Sequence, residues 1–122
     1  NDLEAAFAKM SEAAAQAVIV QPIFGPHDAA IVALAAKHRI GVMSTYRATT
    51  RAGGLISYSA DHGALFQRSA IFVDKILKGA KAADLPVEQP IKLELVVNLK
   101  TAKSLGLNIT ENFLLNADAV IE

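Results

Sequence analysis

The chain predicts an α/β fold organised around a parallel sheet. Three observations carry that expectation: short continuous runs rich in β-branched residues, segments of helical apolar spacing between and after them, and glycine or proline where one type gives way to the other. The order strand, helix, strand between Ala17 and Met43 is a βαβ unit, whose crossover is expected to be right-handed.

Asn1 and Glu4 are spaced for a capping-box-like start, and Leu3, Phe7, Met10 and Ala14 recur at helical spacing, which predicts a helix to about residue 15. Ala17, Val18, Ile19 and Val20, stopped by Pro22, read as a strand buried on both faces. Pro26 suits a first helical position, and Ile31, Leu34 and Ala35 carry that helix towards His38. Residues 40–43 make the next strand. The polar residues 45–51 then read as a loop ending in Gly53 and Gly54, which permit a backbone turn closed to other side chains. A third strand covers residues 55–58. Asp61 is placed to cap the clearest helix, in which Leu65, Ser69, Phe72, Val73, Ile76 and Leu77 line one face and Gly79 ends it. Pro86 and Pro90 make residues 80–90 an extended connector. Ile91, Leu93, Leu95 and Val97 alternate with Lys92, Glu94 and Asn98, the pattern of a strand near a sheet edge with one face in water. A short helix from Thr101 closed by Gly106, a turn or two capped by Thr110, and a last strand at residues 119–121 complete the reading.

At 122 residues the chain fits one domain. Twelve basic and twelve acidic residues leave no net charge to gather phosphates, so nucleic acid is not an expected partner. The longest apolar run, residues 29–36, is far short of the ~18 residues of a membrane span. There are no cysteines, which excludes thiolate chemistry and disulfides. No charged-then-apolar leader follows Asn1, which suggests a truncated or cleaved chain. His27, His38 and His62 lack metal-site spacing, and no nucleophile elbow, phosphate loop or dinucleotide fingerprint occurs. Asp28, Asp61, Asp74 and Asp84 are the pool for acid–base pairs, but Asp74 and Asp84 read as solvated surface. No catalytic residue, metal or cofactor is therefore expected.

Ligands of open parallel sheets sit beyond the carboxyl ends of the strands. That rule selects residues 21–25, 44–47 and 58–61, which hold Phe24, Tyr46, Arg47, Tyr58 and Asp61, with the Gly54 N–H as a secondary contact. Flat apolar faces with one charge of each sign suit a small solute: Asp61 would pair an ammonium and Arg47 a carboxylate, as capture of an amino acid requires. Each choice has a plainer rival. Asp61 is well placed as a helix cap, Arg47 as a solvated side chain, Tyr46 and Tyr58 as residues packed at a sheet edge, Phe24 as a residue buried against the next helix, and Gly54 as a turn residue.

The second half carries a longer pattern: Gly53-Gly54-Leu55-Ile56-Ser57-Tyr58, then Asp61, then residues 73–79 reading VDKILKG, residues 83–90 reading ADLPVEQP and residues 92–107 reading KLELVVNLKTAKSLGL. This resembles the ABC-transporter substrate-binding family related to tryptophan- and tyrosine-type uptake proteins. Ser59 stands where the family often has Gly, and Ala82 and Thr110 where it often has Pro. The resemblance implies a three-layer parallel-sheet lobe of the type I periplasmic-binding fold, incomplete in this chain, from a protein of two lobes with the ligand between them. Residues 17–57 and 87–122 would belong to the second lobe. The helix at residues 61–78 would pack on a first lobe that is largely absent, and the fragment is expected to cover that face by forming a homodimer. The implied function is extracytoplasmic capture of a small organic solute, such as an amino acid, for delivery to a membrane permease. An effector-sensing domain of a transcriptional regulator is the alternative, since that architecture can be shared, and a fragment of an α/β enzyme is a third reading.

Overall fold

A computed structural model describes residues 2–89 and 92–122. The Asn1 half of the expected capping box, and Pro90 and Ile91 of the expected connector and strand, lie outside these described residues. The chain divides into two compact units, one reaching to Ser59 and resuming at Leu95–Glu122, the other Ala60–Glu94.

The first unit is built on strands β1 (Ala17–Val20), β2 (Gly41–Ser44), β3 (Ile56–Ala60), β4 (Leu93–Asn98) and β5 (Ala119–Ile121), which form one sheet in that order. β3 leaves the unit at its last residue and β4 re-enters it. β1, β2 and β3 are parallel, as are β4 and β5. Between the two sets the direction reverses: the Asn98 N–H donates to the Leu55 carbonyl and the Asp61 N–H to that of Lys92, so the partner recedes along β4 as β3 advances. The sheet is therefore mostly, not wholly, parallel. A strand's own residues do not encode its direction, which is why the sequence reading misses this reversal.

Helices α1 (Asp2–Glu12) and α2 (Asp28–His38) supply the apolar core with the strands. Phe7, Val20, Ile31, Ala35, Ile40 and Val42 form it, with Leu3, Met10, Val18 and Leu34 packed around. The predicted α1 stripe is present, except that Ala14 lies past the helix with φ of 53°. Four helices end alike, with an N–H reaching the carbonyl five residues back across a left-handed residue. For α1 and α2 that residue is Ala14 or Arg39; for α4 (His62–Leu77) and α5 (Leu99–Leu105) it is Gly79 or Gly106.

Burial corrects two strand readings. β1 is the outermost strand and Ile19 stands 66 % exposed, so its apolar run is not buried on both faces. β4 lies between β3 and β5, away from the edge, and adjacent Val96 and Val97 are both fully buried. The alternation expected there fades after Leu95 because the second half of the strand is enclosed on both sides. Residues 45–51 are not a plain loop, since Arg47–Arg51 form the short helix α3 with Thr49 and Thr50 buried. Pro26 sits inside a 3-10 turn, Pro22–His27, and not at the start of α2.

In the second unit Asp61 caps α4 by accepting the Ala64 N–H at 3.1 Å, as the sequence predicts. None of the residues of α4 is buried, and Phe66, Val73 and Leu77 are well exposed. The connector contains a 3-10 turn, Ala82–Asp84, and is bound to α4 by a two-pronged ion pair between Arg68 and Glu88. Arg68 also lies over the Phe72 ring, 5.4 Å from its centre, and Lys75 approaches the same ring at 5.8 Å.

Candidate functional site

The register across the first three strands aligns Val20 with Ser44 and Ser44 with Ser57. Because these strands are parallel, the residues that follow this row, Gln21, Thr45 and Tyr58, stand together at one end of the sheet. Beyond them the chain turns away at two places. After β1 it enters the 3-10 turn that carries Phe24, and after β2 it passes Tyr46, the residue before α3, to Arg47, the first residue of that helix. Phe24, Tyr46, Arg47 and Tyr58 are all exposed at this end. The structure thus brings four of the six predicted residues to one region of the first unit.

The placements differ in detail from the sequence reading. Tyr58 lies inside β3, which continues to Ala60, and not in a loop after it. Phe24 is 44 % exposed, so it is not buried against α2. Gly54 lies before β3, at the opposite end of that strand, and its N–H already donates to the Thr49 carbonyl at 2.9 Å. A Cβ there would come within 2.9 Å of the same carbonyl oxygen, so the position serves close backbone packing.

Asp61 belongs to the second unit and has two partners there besides its role at the strand end. Its carboxylate caps α4 and pairs with the Lys92 ammonium at 2.7 Å. The Lys92 hydrogen bond, and after it the Ala64 N–H, hold the carboxyl below the usual aspartate range. The sign follows directly: a depressed carboxyl contributes stability that is complete above the unfolded pKa and lost as pH falls through the folded one. Helicity of α4 should hold from neutral pH to about pH 4 and weaken below that. In Asp61→Asn the amide oxygen retains capping ability but not the charge, so the acid-dependent loss should shrink to the part that comes from Glu88, whose carboxyl Arg68 of α4 also holds low. Circular dichroism over an acid titration, compared between the two proteins, measures this.

A groove of about 550 Å³ in the second unit runs along α4 and the connector, lined by Asp61, Leu65, Arg68, Phe72, Pro86 and Glu88. Another, of about 680 Å³, opens in the first unit between α2 and α5, and includes Val32, Ala36, Asn98, Thr101 and Leu105. Neither contains Phe24, Tyr46, Arg47 or Tyr58.

Four residues that sequence reasoning does not name as ligand residues, although Ser44 and Thr45 lie in a selected loop and Asp28 in the acid–base pool, stand beside the aromatic cluster. The Thr45 hydroxyl is buried and finds no hydrogen-bond partner among the described residues. Ser44 and Thr49 are buried and bonded to each other, and Asp28 reaches Thr49 from the start of α2. The only local signal was the density of hydroxyls between residues 44 and 50. Among the described residues no cluster of metal-binding side chains occurs, and no helix is long and apolar enough to cross a membrane.

A sequence profile of the family described as ABC transporter substrate binding protein matches residues 1–121. No curated protein sequence matches the chain. Among solved structures, an ABC domain in complex with L-Trp from Streptococcus pneumonia is 26 % identical with a TM-score of 0.88, covering 99 % of this chain and 41 % of that one. A conserved domain protein from Vibrio cholerae is 21 % identical with a TM-score of 0.86, over 98 % of this chain and 40 % of that one. A substrate binding protein with adhesive properties from Clostridium difficile, in a ligand-free, open structure, is 19 % identical with a TM-score of 0.71, over 99 % and 41 %. The last two likenesses speak for the fold alone. The chain spans about two fifths of the length of the structures it matches.

Proposed function

Because the chain belongs to the ABC transporter substrate-binding protein family, we propose that it is the carboxy-terminal part of a two-lobed protein that captures an amino acid outside the cytoplasm and presents it to a membrane permease. The observation that carries this reading is the exposed row at the carboxyl ends of β1, β2 and β3, where the rings of Phe24, Tyr46 and Tyr58 reach solvent. An amino acid with a flat side chain suits such a row, and the similar domain from Streptococcus pneumonia holds L-Trp. In this reading Arg47 meets the solute carboxylate. Asp61 serves mainly as cap and ion-pair partner, and a solute ammonium would have to compete with Lys92 for it.

The rest of the pocket belongs to the other lobe of the longer protein. Residues 17–57 and 87–122 form part of one lobe, and α4, which has no buried residue, finds its neighbours on the other. A fragment separated from that lobe would cover the same face with a second copy. Capture needs no covalent chemistry; closure is driven by contacts present only when both lobes meet the solute.

The test is a thermal-shift and calorimetry screen of the full-length protein against the common amino acids. Binding of one aromatic or aliphatic amino acid, raising the unfolding temperature with concentration, is expected. Turnover of a candidate substrate, or no response to any amino acid, would overturn the reading.

A further inference from the structure

Beneath the exposed aromatic row lies a chain of polar contacts that joins two separate loops. Thr49 Oγ1 is 2.6 Å from Asp28 Oδ2 and 3.1 Å from Ser44 Oγ, and Ser44 Oγ accepts the Tyr46 N–H at 3.1 Å. The proton positions follow from valence. An ionised carboxylate only accepts, so the single hydroxyl proton of Thr49 goes to Asp28; Ser44 must then donate its own proton to Thr49, which leaves its lone pairs for the Tyr46 amide. Every bond runs in one sense, from the Tyr46 N–H to the Asp28 carboxylate. Thr49 is wholly buried and Ser44 nearly so, which keeps bulk water from replacing a missing link. The carboxylate at the end strengthens the bond it receives, and bonds in series polarise one another. Asp28 is the first residue of α2, directly after the 3-10 turn, to whose Gly25 carbonyl its own N–H donates.

The relay spans the two loops that matter. Asp28 follows the 3-10 turn carrying Phe24, while Ser44 and Thr49 flank Tyr46 and Arg47. We propose that Asp28, Thr49 and Ser44 are positioning residues that fix the Tyr46 backbone against the Phe24 turn, so that the aromatic row is ordered before a solute arrives. The part that concerns capture rests on the solute-binding reading above; the ordering of Tyr46 does not. Preorganisation of this kind raises affinity by removing the ordering cost from the binding step.

Thr49→Val and Thr49→Ser separate hydrogen bonding from shape, since valine keeps the volume and serine keeps the hydroxyl. Two readouts on the full-length protein are needed: amide hydrogen exchange at Tyr46, and affinity for L-tryptophan as the probe. In Thr49→Val, exchange at Tyr46 should rise at least ~10-fold and affinity fall ~10-fold, while Thr49→Ser stays within ~3-fold of the parent in both. Unchanged exchange in Thr49→Val, or a serine variant as impaired as the valine one, overturns the relay. Faster exchange with unaltered affinity overturns its role in capture. If the parent protein takes up no L-tryptophan, the solute reading has failed for this probe, and the exchange measurement still decides whether the relay orders Tyr46. Should Thr49→Val not fold, Asp28→Ala, which removes the terminal acceptor at a partly exposed position, is judged by the same exchange criterion.

Discussion

Phe7→Ala is expected to lower stability by about 4 kcal/mol, the middle of the range for deletion of a buried aromatic side chain. Phe7 is the only buried residue of α1, at 3 % exposure, and it enters a core whose other members come from two strands, α2 and the residue before β2. Its ring also stacks on His38 at the end of α2, with centres 6.3 Å apart. Leu3 and Met10 add only partly buried contacts from the same face, and the Lys37 ion pair with Glu4 is largely exposed and contributes little. Removing this one side chain should therefore loosen the helix from the core more than any other single change in it. Urea unfolding would show a lower midpoint, and Phe7→Leu, which refills most of the volume, should recover more than half of the loss. A change below about 1 kcal/mol in the alanine variant would mean that α1 is not part of the cooperative unit.

Asn98→Ala is expected to be nearly as damaging, at about 3 kcal/mol, for a different reason. The side chain is buried, and its amide works in two directions: Nδ2 donates to the Thr50 carbonyl at 2.9 Å, and Oδ1 accepts the Thr101 N–H at 3.0 Å as the cap of α5. Thr101 adds a bond from its hydroxyl to the Gly53 carbonyl, so the start of α5 is tied once to α3 and once to the turn after it. Alanine would leave the Thr101 N–H without its cap and the buried Thr50 carbonyl with only the Gly53 N–H of its two donors. Asn98→Asp separates the two tasks. Aspartate caps as well as asparagine but has nothing to donate, and it would set a charge against the Thr50 carbonyl. If the Asn98→Asp protein unfolds at the same denaturant concentration as the parent, the bridge to Thr50 is not contributing.

These two sites show what could and could not be read from the residues. The caps at Asp61 and Thr110 and the stops at Gly79 and Gly106 are local chemistry, and the structure has them where the spacing predicts. The stops at Ala14 and Arg39 use the same backbone geometry without glycine, so nothing in the residue type announces them. α3 was hidden because its buried residues are Thr49 and Thr50, and a period carried by hydroxyls is invisible to an apolar pattern. The burial of β1 and β4 depends on their places in the sheet order, which no single strand contains. The positions of Phe24 and Tyr46 were legible because β1 and β2 end close to where their apolar runs end, whereas β3 runs on past Tyr58 to Ala60. The relay beneath them was not, since Asp28 and Thr49 are 21 residues apart and meet only in the folded chain.

Lying outermost, β1 bears on how the protein must be handled. Residues 17–20 carry no lysine, proline or bulge, the devices by which natural proteins discourage a foreign strand from docking there. Its open row of amides and carbonyls is a template, and a second copy arriving in register would extend it. Lateral stacking along this seam is expected to compete with refolding of the isolated chain at high concentration, through four apolar residues and not through average composition.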